Sequence, residues 1–210
     1  ERLKLPDGFS ISVFSDDVSN ARQMTQGGEG IVYVGTRSAG NVYAVVDEDG
    51  DLRVDRVHTI ASGLFIPSGV AYRDGTLYVA EVNRILAFED IDDNLESAPE
   101  PTVVFEKLPR DSHHGWKFIE FGADGKLYFA VGAPCNVCKV ADPYGTIQRL
   151  DVAHGTTEVV ARGIRNTVGF AWHPATGELW FTDNGRDMMG DDVPPGELNR
   201  VTEIGQHFGF

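Results

Sequence analysis

Short runs of β-branched and aromatic residues, bounded by glycine, aspartate and proline, follow one another along the whole chain. Such runs predict β-strands, and the residues between them predict tight turns. No long stretch shows apolar residues at the 3.6-residue period of an amphipathic helix. The pattern of apolar and polar positions therefore predicts an all-β protein.

A glycine, two further residues, an aromatic residue and then apolar or small residues form a segment that occurs four times. The copies occupy residues 30–34, 75–79, 125–129 and 177–181. Their aromatic residues are Tyr33, Tyr78, Tyr128 and Trp180, which lie roughly 45 to 52 residues apart. A period of this length is typical of propeller blades and of other repeat architectures.

Each copy lies within a recurring order of strands. A second strand follows the aromatic one, at residues 41–45, 84–88, 146–150 and 197–201, and an innermost strand precedes it, as at 69–72 and 169–172. A third strand follows in the first three copies, around His58, Val103 and Val159. Four strands per period predict a β-propeller of four-stranded blades, with about four blades in this chain. A β-sandwich with accidental similarity between hairpins is less favoured, because the strand order recurs together with the aromatic residue.

The fourth copy ends at Phe210 before its outermost strand. A propeller closes by joining its first and last blades, so that no sheet edge stays open. We therefore expect residues 1–210 to form a single propeller domain that is the N-terminal part of a longer propeller.

The composition narrows the possible partners. Acidic residues outnumber basic ones 32 to 18, and the net charge is −14. A surface of this charge repels phosphate backbones and anionic lipid, although it also serves solubility alone. The charge therefore predicts no nucleic-acid partner. Because no apolar run reaches about 18 residues, the sequence also predicts no membrane insertion.

Polar residues recur in the links that join one blade's outer strand to the next blade's inner strand. Such links cross to the mouth of the central channel, where functional loops lie. The repeat aligns the links at residues 19–23, 65–68, 109–115 and 165–168, and it places Arg22, His113 or His114, Arg165 and Asn166 at one end of the channel. Histidine accepts a proton near neutral pH, and arginine and asparagine bind anionic ligands. The alternative is that these side chains only cap strands or face solvent.

Two further features carry possible chemistry. An insertion at residues 183–197 is rich in carboxylates and glycine, which suits calcium but equally suits a solvated acidic loop, and its spacing is not that of an EF-hand. Cys135 and Cys138 form a single CxxC motif, which is weak evidence for zinc. A local disulfide or two idle thiols are more in keeping with so few cysteines.

The sequence resembles the soluble pyrroloquinoline-quinone (PQQ)-dependent glucose and sorbosone dehydrogenases, also called aldose sugar dehydrogenases. The resemblance runs through the whole chain and is strongest in two stretches. One is HGW at 114–116 leading into FGADGKLY at 121–128, similar to the family's catalytic-histidine segment and its GPDGKLY strand. The other is GIRNTVGFAWHP at 163–174, similar to the family's GxRNPxGLAWHP; it continues through NGR at 184–186 to ELNR at 197–200 and GQHFGF at 205–210.

The resemblance implies a six-bladed propeller and a quinoprotein oxidoreductase. By position, His114 is similar to the general base that takes a proton from a sugar hydroxyl while hydride moves to PQQ. His114, Arg165 and Asn166 would contact the quinone, with Arg165 also acting in catalysis. The backbone carbonyls of Gly185 and Arg186 would hold a calcium ion that binds the quinone.

The same resemblance implies a small sugar as substrate, an external electron acceptor and a periplasmic or secreted location. Arg22 is a further candidate for cofactor binding. The chain departs from the family at Ala133, where glucose-oxidising members have aspartate, and at Arg186, which stands in place of a proline. It is most similar to the sorbosone-type members. The family's further basic cofactor ligands lie in later blades.

Two other functions compete with this one. A calcium-dependent lactone hydrolase on a six-bladed propeller would use carboxylates in the channel loops, whereas this chain offers histidine and arginine there. A non-catalytic propeller that binds a partner on its face is favoured if Ala133 leaves no cofactor pocket. Binding of added quinone and calcium separates the dehydrogenase from both.

Overall fold

The fold was obtained as a computed structural model, which describes residues 3–193 and 195–210. Pro194, within the carboxylate-rich insertion, lies outside the described residues. Four antiparallel blades follow one another in chain order, which confirms the all-β propeller. A single turn of 3₁₀ helix at Ile91–Asn94 lies within the second blade, and no helix among the described residues has the length and apolar character needed to cross a membrane.

The first two blades each have four strands in sequential order. In the first blade these are β1 (Ala21–Gln26), β2 (Ile31–Thr36), β3 (Val42–Val46) and β4 (Arg56–Ala61). In the second they are β5 (Gly69–Arg73), β6 (Thr76–Ala80), β7 (Ile85–Phe88) and β8 (Thr102–Phe105). The strands predicted around His58 and Val103 are therefore present as β4 and β8.

The last two blades differ from these at their outer edges. The third contains β9 (Ile119–Phe121), β10 (Leu127–Val131), β11 (Thr146–Asp151) and β12 (Thr156–Arg162). The fourth contains β13 (Phe170–Trp172), β14 (Leu179–Asp183) and β15 (Glu197–Arg200). The short β16 (Gln206–His207) then pairs in parallel with β12, so the end of the chain lies on the outer edge of the third blade.

The recurring glycine has a conformational cause. Gly30, Gly75, Gly125 and Gly177 all lie in the turn between the first and second strands, with φ between 70° and 79°. This left-handed region is open to glycine and costly for residues with a Cβ atom.

A register irregularity also recurs between the third and fourth strands of the first three blades, next to Val42, Ile85 and Ile147. Such bulges increase the strand twist that blades require.

The hydrophobic core lies between blades rather than at a single centre. One cluster joins the first and second blades, a second joins the second and third, and a third joins the third and fourth. Three of the repeated aromatic residues show their role here: Tyr33 is fully buried, Tyr128 is buried, and Tyr78 packs at the edge of the second cluster. Each blade therefore depends on its neighbours for burial of its faces.

The two end blades each leave apolar side chains uncovered. Met24 on β1 is 66% exposed and Leu198 on β15 is 67% exposed, while Phe9, Ile11 and Val13 before β1 are all more than 60% exposed. Contiguous exposed apolar surface and open strand edges favour self-association.

We predict that residues 1–210 produced alone self-associate, because none of the described residues covers those two faces. Light scattering during size-exclusion chromatography checks this. Leu198→Glu should lower the associated fraction, whereas Leu52→Glu, which changes an equally exposed leucine in the β3–β4 turn, should not. A monomer that unfolds cooperatively would contradict the prediction.

Candidate active site

A cleft of about 440 Å³ lies where three inter-strand links of the third and fourth blades meet. Its size is that of a small-molecule site. Four of the predicted site residues line it, namely His114, Arg165, Asn166 and Gly185. The other lining residues are Trp116, Asn184, Asp187 and Gly196. The alignment of the repeat thus brings together residues that are far apart in sequence.

Two predicted residues lie beside this cleft rather than in it. Arg22, on the exposed side of β1, lines a neighbouring cavity of about 400 Å³, and its Cζ atom is 6.0 Å from the ring centre of Trp116. Arg186 borders a cavity of about 350 Å³ on the other side of Gly185. Alignment of the repeat predicts where the backbone of each link lies, but not the direction of its side chains. In β1, a register irregularity between Ala21 and Met24 makes the direction of the Arg22 side chain harder still to predict.

His114 is held in one orientation. Its side chain is buried, and its Nδ1 atom lies 2.8 Å from the carbonyl oxygen of Ala133. Its φ of 51° places it in the left-handed region, which is uncommon for a histidine and typical of functional loops. A Cβ atom at Gly132 would lie 2.6 Å from the Cβ atom of His114, so only glycine leaves room for the histidine here.

The environment of His114 favours the neutral ring. Burial lowers the pKa of His114 and is the largest influence, partly opposed by the hydrogen bond to Ala133. The adjacent His113 and Arg165 lower the pKa further, and the carboxylate of Asp187 raises it. His114 is therefore neutral at pH 7.

The Arg165 side chain is 3% exposed and almost fully hydrogen-bonded. Its Nε atom donates to the carbonyl of Asn136 at 3.0 Å, and Nη1 donates to the carbonyl of Asn184 at 3.0 Å. Its Nη2 atom donates to Asn136 Oδ1 at 2.8 Å and to Asp187 Oδ2 at 2.6 Å. Since a guanidinium has five N–H donors, one on Nη1 is left for a ligand.

The carboxylate of Asp183, at the end of β14, fixes the backbone that carries Arg165 and Asn166. It accepts the N–H of Arg165 at 2.9 Å and that of Asn166 at 2.7 Å. Burial raises the pKa of Asp183 and outweighs these two hydrogen bonds, which lower it. The link before β13 is thus held against the end of the neighbouring strand.

The side-chain amide of Asn166, which lines the cleft, makes no hydrogen bond within the described part of the chain. The indole Nε1 of Trp116 also lacks a partner there, but it is buried and not open to the cleft, like Nε1 of Trp180 in the fourth blade. The cleft therefore presents the unused amide of Asn166 next to a neutral histidine.

Possible metal ligands in the fourth blade are backbone oxygens. Among the described residues, the carboxylates of the insertion do not converge; the one converging group is Asp47, Asp49 and Asp55, in the distant β3–β4 turn. The carbonyls of Gly185 and Arg186 accept no hydrogen bond within the described residues. They suit a hard cation such as calcium, which prefers oxygen ligands.

Several residues of this region were not predicted from the sequence. Asn136 and Asp187 bind Arg165 across blades, and no local pattern marks such a pairing. Lys117 is 3% exposed and forms a hydrogen bond from Nζ to the carbonyl of Gly115 at 2.5 Å. Its signal was present in the sequence, because it is a lone charge between Trp116 and Phe118, in an otherwise apolar run that leads into β9.

Burial lowers the pKa of Lys117 to about 7, and no carboxylate pairs with it in the described residues. The folded chain therefore holds this proton only below about pH 7, whereas the unfolded chain holds it up to about pH 10. Folding stability should thus rise as the pH increases from about 7 to about 10. Below about pH 7 the lysine is charged in both states, so the full free-energy cost of burying its charge is present.

We predict that Lys117→Met raises the free energy of unfolding by about 1–4 kcal/mol near pH 6, because it removes an uncompensated buried charge. The gain should shrink towards about pH 10. Urea unfolding at several pH values measures it, and Lys107→Met, which changes an exposed lysine, serves as control. A gain that does not depend on pH would show that Lys117 does not titrate as described.

Solved structures with the same fold include a carbohydrate-active enzyme and PQQ-binding sugar dehydrogenases. The chain is similar to a Trichoderma reesei enzyme of Carbohydrate-Active Enzymes Family AA12, with a TM-score of 0.81 and 19% identity, covering 98% of this chain and 59% of that one. For the holo PQQ domain of pyranose dehydrogenase from Coprinopsis cinerea, the TM-score is 0.77 and the identity 13%, covering 94% of this chain and 51% of that one. For PQQ-bound aldose sugar dehydrogenase from Streptomyces coelicolor, the TM-score is 0.73 and the identity 19%, covering 95% of this chain and 65% of that one. At these identities the likeness establishes the propeller fold.

Sequence comparison assigns the chain to a family. It is 31% identical over 219 residues to an uncharacterised protein of Borreliella burgdorferi, covering 99% of this chain and 56% of that protein, so the chain spans little more than half the length of this relative. Residues 1–206 match a family model described as Domain of unknown function (DUF7133). On this match, the chain belongs to the family described as Domain of unknown function (DUF7133).

Proposed function

We propose that this chain carries the central part of the active site of a quinone-dependent sugar dehydrogenase. The observation that supports it best is the neutral His114 that shares one cleft with Arg165 and the unpaired amide of Asn166. Proton acceptance and anion binding are thereby available within one small-molecule cavity. The dehydrogenases among the structural neighbours share its fold.

The hydrogen bond of His114 decides which nitrogen acts as the base. A carbonyl oxygen only accepts, so the bond to Ala133 places the ring proton on Nδ1. Nε2 is then unprotonated and makes no hydrogen bond within the described residues. We propose that Nε2 takes the proton from the hydroxyl group of the sugar, a role worth about 10²–10⁴-fold in rate.

The donors around the cleft fit a flat ligand rich in carbonyl and carboxylate oxygens. The Asn166 amide and the remaining N–H of Arg165 are two donors for such oxygens. PQQ is a cofactor of this kind, and when bound it would supply the hydride acceptor. The residues present fit it, because Arg165 and Asn166 line the cleft and would hold its oxygens.

The carbonyls of Gly185 and Arg186 would hold calcium beside the cleft. Arg186 occupies a position where the similar dehydrogenases have proline, so this turn lacks the rigidity that proline gives. Since the ligand is a backbone oxygen, the change of side chain leaves the donor in place. Arg22 lines the neighbouring cavity rather than the cleft, so its role in cofactor binding would be at the rim, beside Trp116.

The remaining parts of the proposal concern the whole protein. We propose that an aldose or a related sugar such as a sorbosone is the substrate, that electrons pass to an external acceptor, and that the protein works in the periplasm or outside the cell. The four blades would be the N-terminal part of a longer propeller, consistent with the 56% of the sequence relative that the chain spans.

A non-catalytic binding propeller is the second candidate. The observation that favours it is the occupation of four of the five N–H donors of Arg165 by Asn136, Asn184 and Asp187, which leaves little for a cofactor. The carboxylate-based lactone hydrolase has less support, because the converging carboxylates among the described residues lie in the β3–β4 turn, whereas Asp187 is the one carboxylate among the described residues that line the cleft.

We predict that the full protein, reconstituted with PQQ and calcium, reduces an artificial dye in the presence of an aldose. His114→Ala should lower kcat by about 10²–10⁴-fold while the absorbance of bound PQQ is retained. His113→Ala is the matched control, because its ring lies tilted against that of His114, with 4.1 Å between centroids, but is exposed and does not line the cleft. Failure of the folded protein to bind PQQ would sink the proposal and favour the binding propeller.

We predict that the rate falls as pH decreases through the pKa of His114, because the protonated ring no longer accepts a proton. Since burial lowers this pKa, the midpoint should lie below about 6.5. Asp187→Asn should move it lower still, because the carboxylate that raises the pKa is removed. A pH profile of kcat/KM for the wild type and for Asp187→Asn tests this. An acid limb whose midpoint moves to higher pH in the variant would contradict the assignment of His114 as the base.

A further inference from the structure

The turn after β10 is closed by a disulfide between Cys135 and Cys138. Of the alternatives left by the sequence, the local disulfide is the one present. The turn encloses Asn136, which is half-buried, while Val137 beside it is 57% exposed. The proposed reaction leaves this disulfide without a role.

Asn136 uses its backbone and its side chain to bind two other links. Its carbonyl oxygen accepts from Arg165 Nε at 3.0 Å, and its Oδ1 atom accepts from Arg165 Nη2 at 2.8 Å. Oδ1 also accepts the backbone N–H of Asp187 at 2.8 Å, and Nδ2 donates to the carbonyl of Asp187 at 3.0 Å. One residue therefore joins the β10–β11, β12–β13 and β14–β15 links.

The side chain at this position must both donate and accept. Aspartate would lose the donor to Asp187 and alanine would lose both functions, while glutamine has the same amide on a longer stem. The backbone contact to Arg165 further requires that the turn itself keep its shape. A short cross-linked turn supplies that constraint, because it restricts the conformations open to residue 136.

We propose that Asn136 is the positioning residue that orients Arg165 and Asp187 towards the cleft, and that the Cys135–Cys138 disulfide holds it in place, so that reduction of the disulfide loosens the site. In its effect on cofactor binding, this inference rests on the proposed function. Its structural part, the tethering of Asp187 by Asn136, does not.

The redox step is a thiol–disulfide exchange. A dithiol reductant supplies two electrons and two protons, the S–S bond between Cys135 and Cys138 breaks, two thiols form, and the dithiol becomes a disulfide. Both cysteines are half-buried next to an exposed residue, so the bond lies near the surface. Reoxidation reverses the change.

The first experiment follows the amide of Asp187 by hydrogen exchange in the full protein without added cofactor. Asn136→Ala should speed its exchange about tenfold, the effect expected from loss of one hydrogen bond. Dithiothreitol should do the same in the wild type and nothing more in the Cys135→Ser/Cys138→Ser variant. Asn94→Ala, which removes a side-chain hydrogen bond in the second blade, is the control and should leave this amide unchanged. Unchanged exchange in Asn136→Ala or in reduced wild type would overturn the tethering.

The second experiment measures PQQ affinity by absorbance in a double-mutant cycle of Asn136→Ala and Arg165→Ala. If Asn136 acts through Arg165, each single change weakens binding and the double change costs little more than Arg165→Ala alone. Asn136→Gln should recover part of the affinity, which general loosening of the fold would not allow. Additive effects would overturn the positioning role, whereas absence of any PQQ binding together with faster exchange would refute the proposed function and leave the tethering intact.

Discussion

A guanidinium taken out of water needs a partner for its charge and acceptors for its N–H groups, and this requirement organises the cleft. The Arg165 side chain meets it with acceptors from two different links, Asn136 in the β10–β11 link and Asn184 and Asp187 in the β14–β15 link. The backbone carbonyl oxygen of Arg165 accepts the N–H of Ala133 at 2.8 Å, which places the Ala133 carbonyl against His114. The position of the histidine thus depends on how the arginine is satisfied, even though the two lie in different blades.

The propeller makes this arrangement possible because equivalent links of successive blades meet at the channel. Asp183 lies at the end of β14 and binds the backbone of Arg165 and Asn166 in the link before β13. That contact joins the end of the second strand to the beginning of the first strand in the same blade. The paired strands therefore fix the backbone, while the long β14–β15 link contributes Asp187 and the two candidate metal ligands.

The parts of the structure that depend on neighbours in sequence were predictable. The glycines at 30, 75, 125 and 177 mark turns because their conformation is left-handed, and each is followed by a buried or half-buried aromatic strand. Placement of His114, Arg165 and Asn166 in one cleft followed from aligning the links. Pairings across blades were not predictable, since Asn136 and Asp187 are 51 residues apart and nothing local records their contact. The parallel pairing of β16 with β12 is of the same kind.

The base strength of His114 follows from where its negative partner lies. In the glucose-oxidising proteins that the sequence resembles, an aspartate occupies the position of Ala133, whereas here a neutral backbone carbonyl binds Nδ1. A carbonyl orients the ring but stabilises the protonated form less than a carboxylate would, so burial prevails and the pKa falls. The carboxylate that still raises this pKa belongs to Asp187, on a link of another blade that Asn136 ties down. The β10–β11 link thus serves both groups: Ala133 orients the histidine, and Asn136 in the Cys135–Cys138 turn holds the link that carries its charge partner.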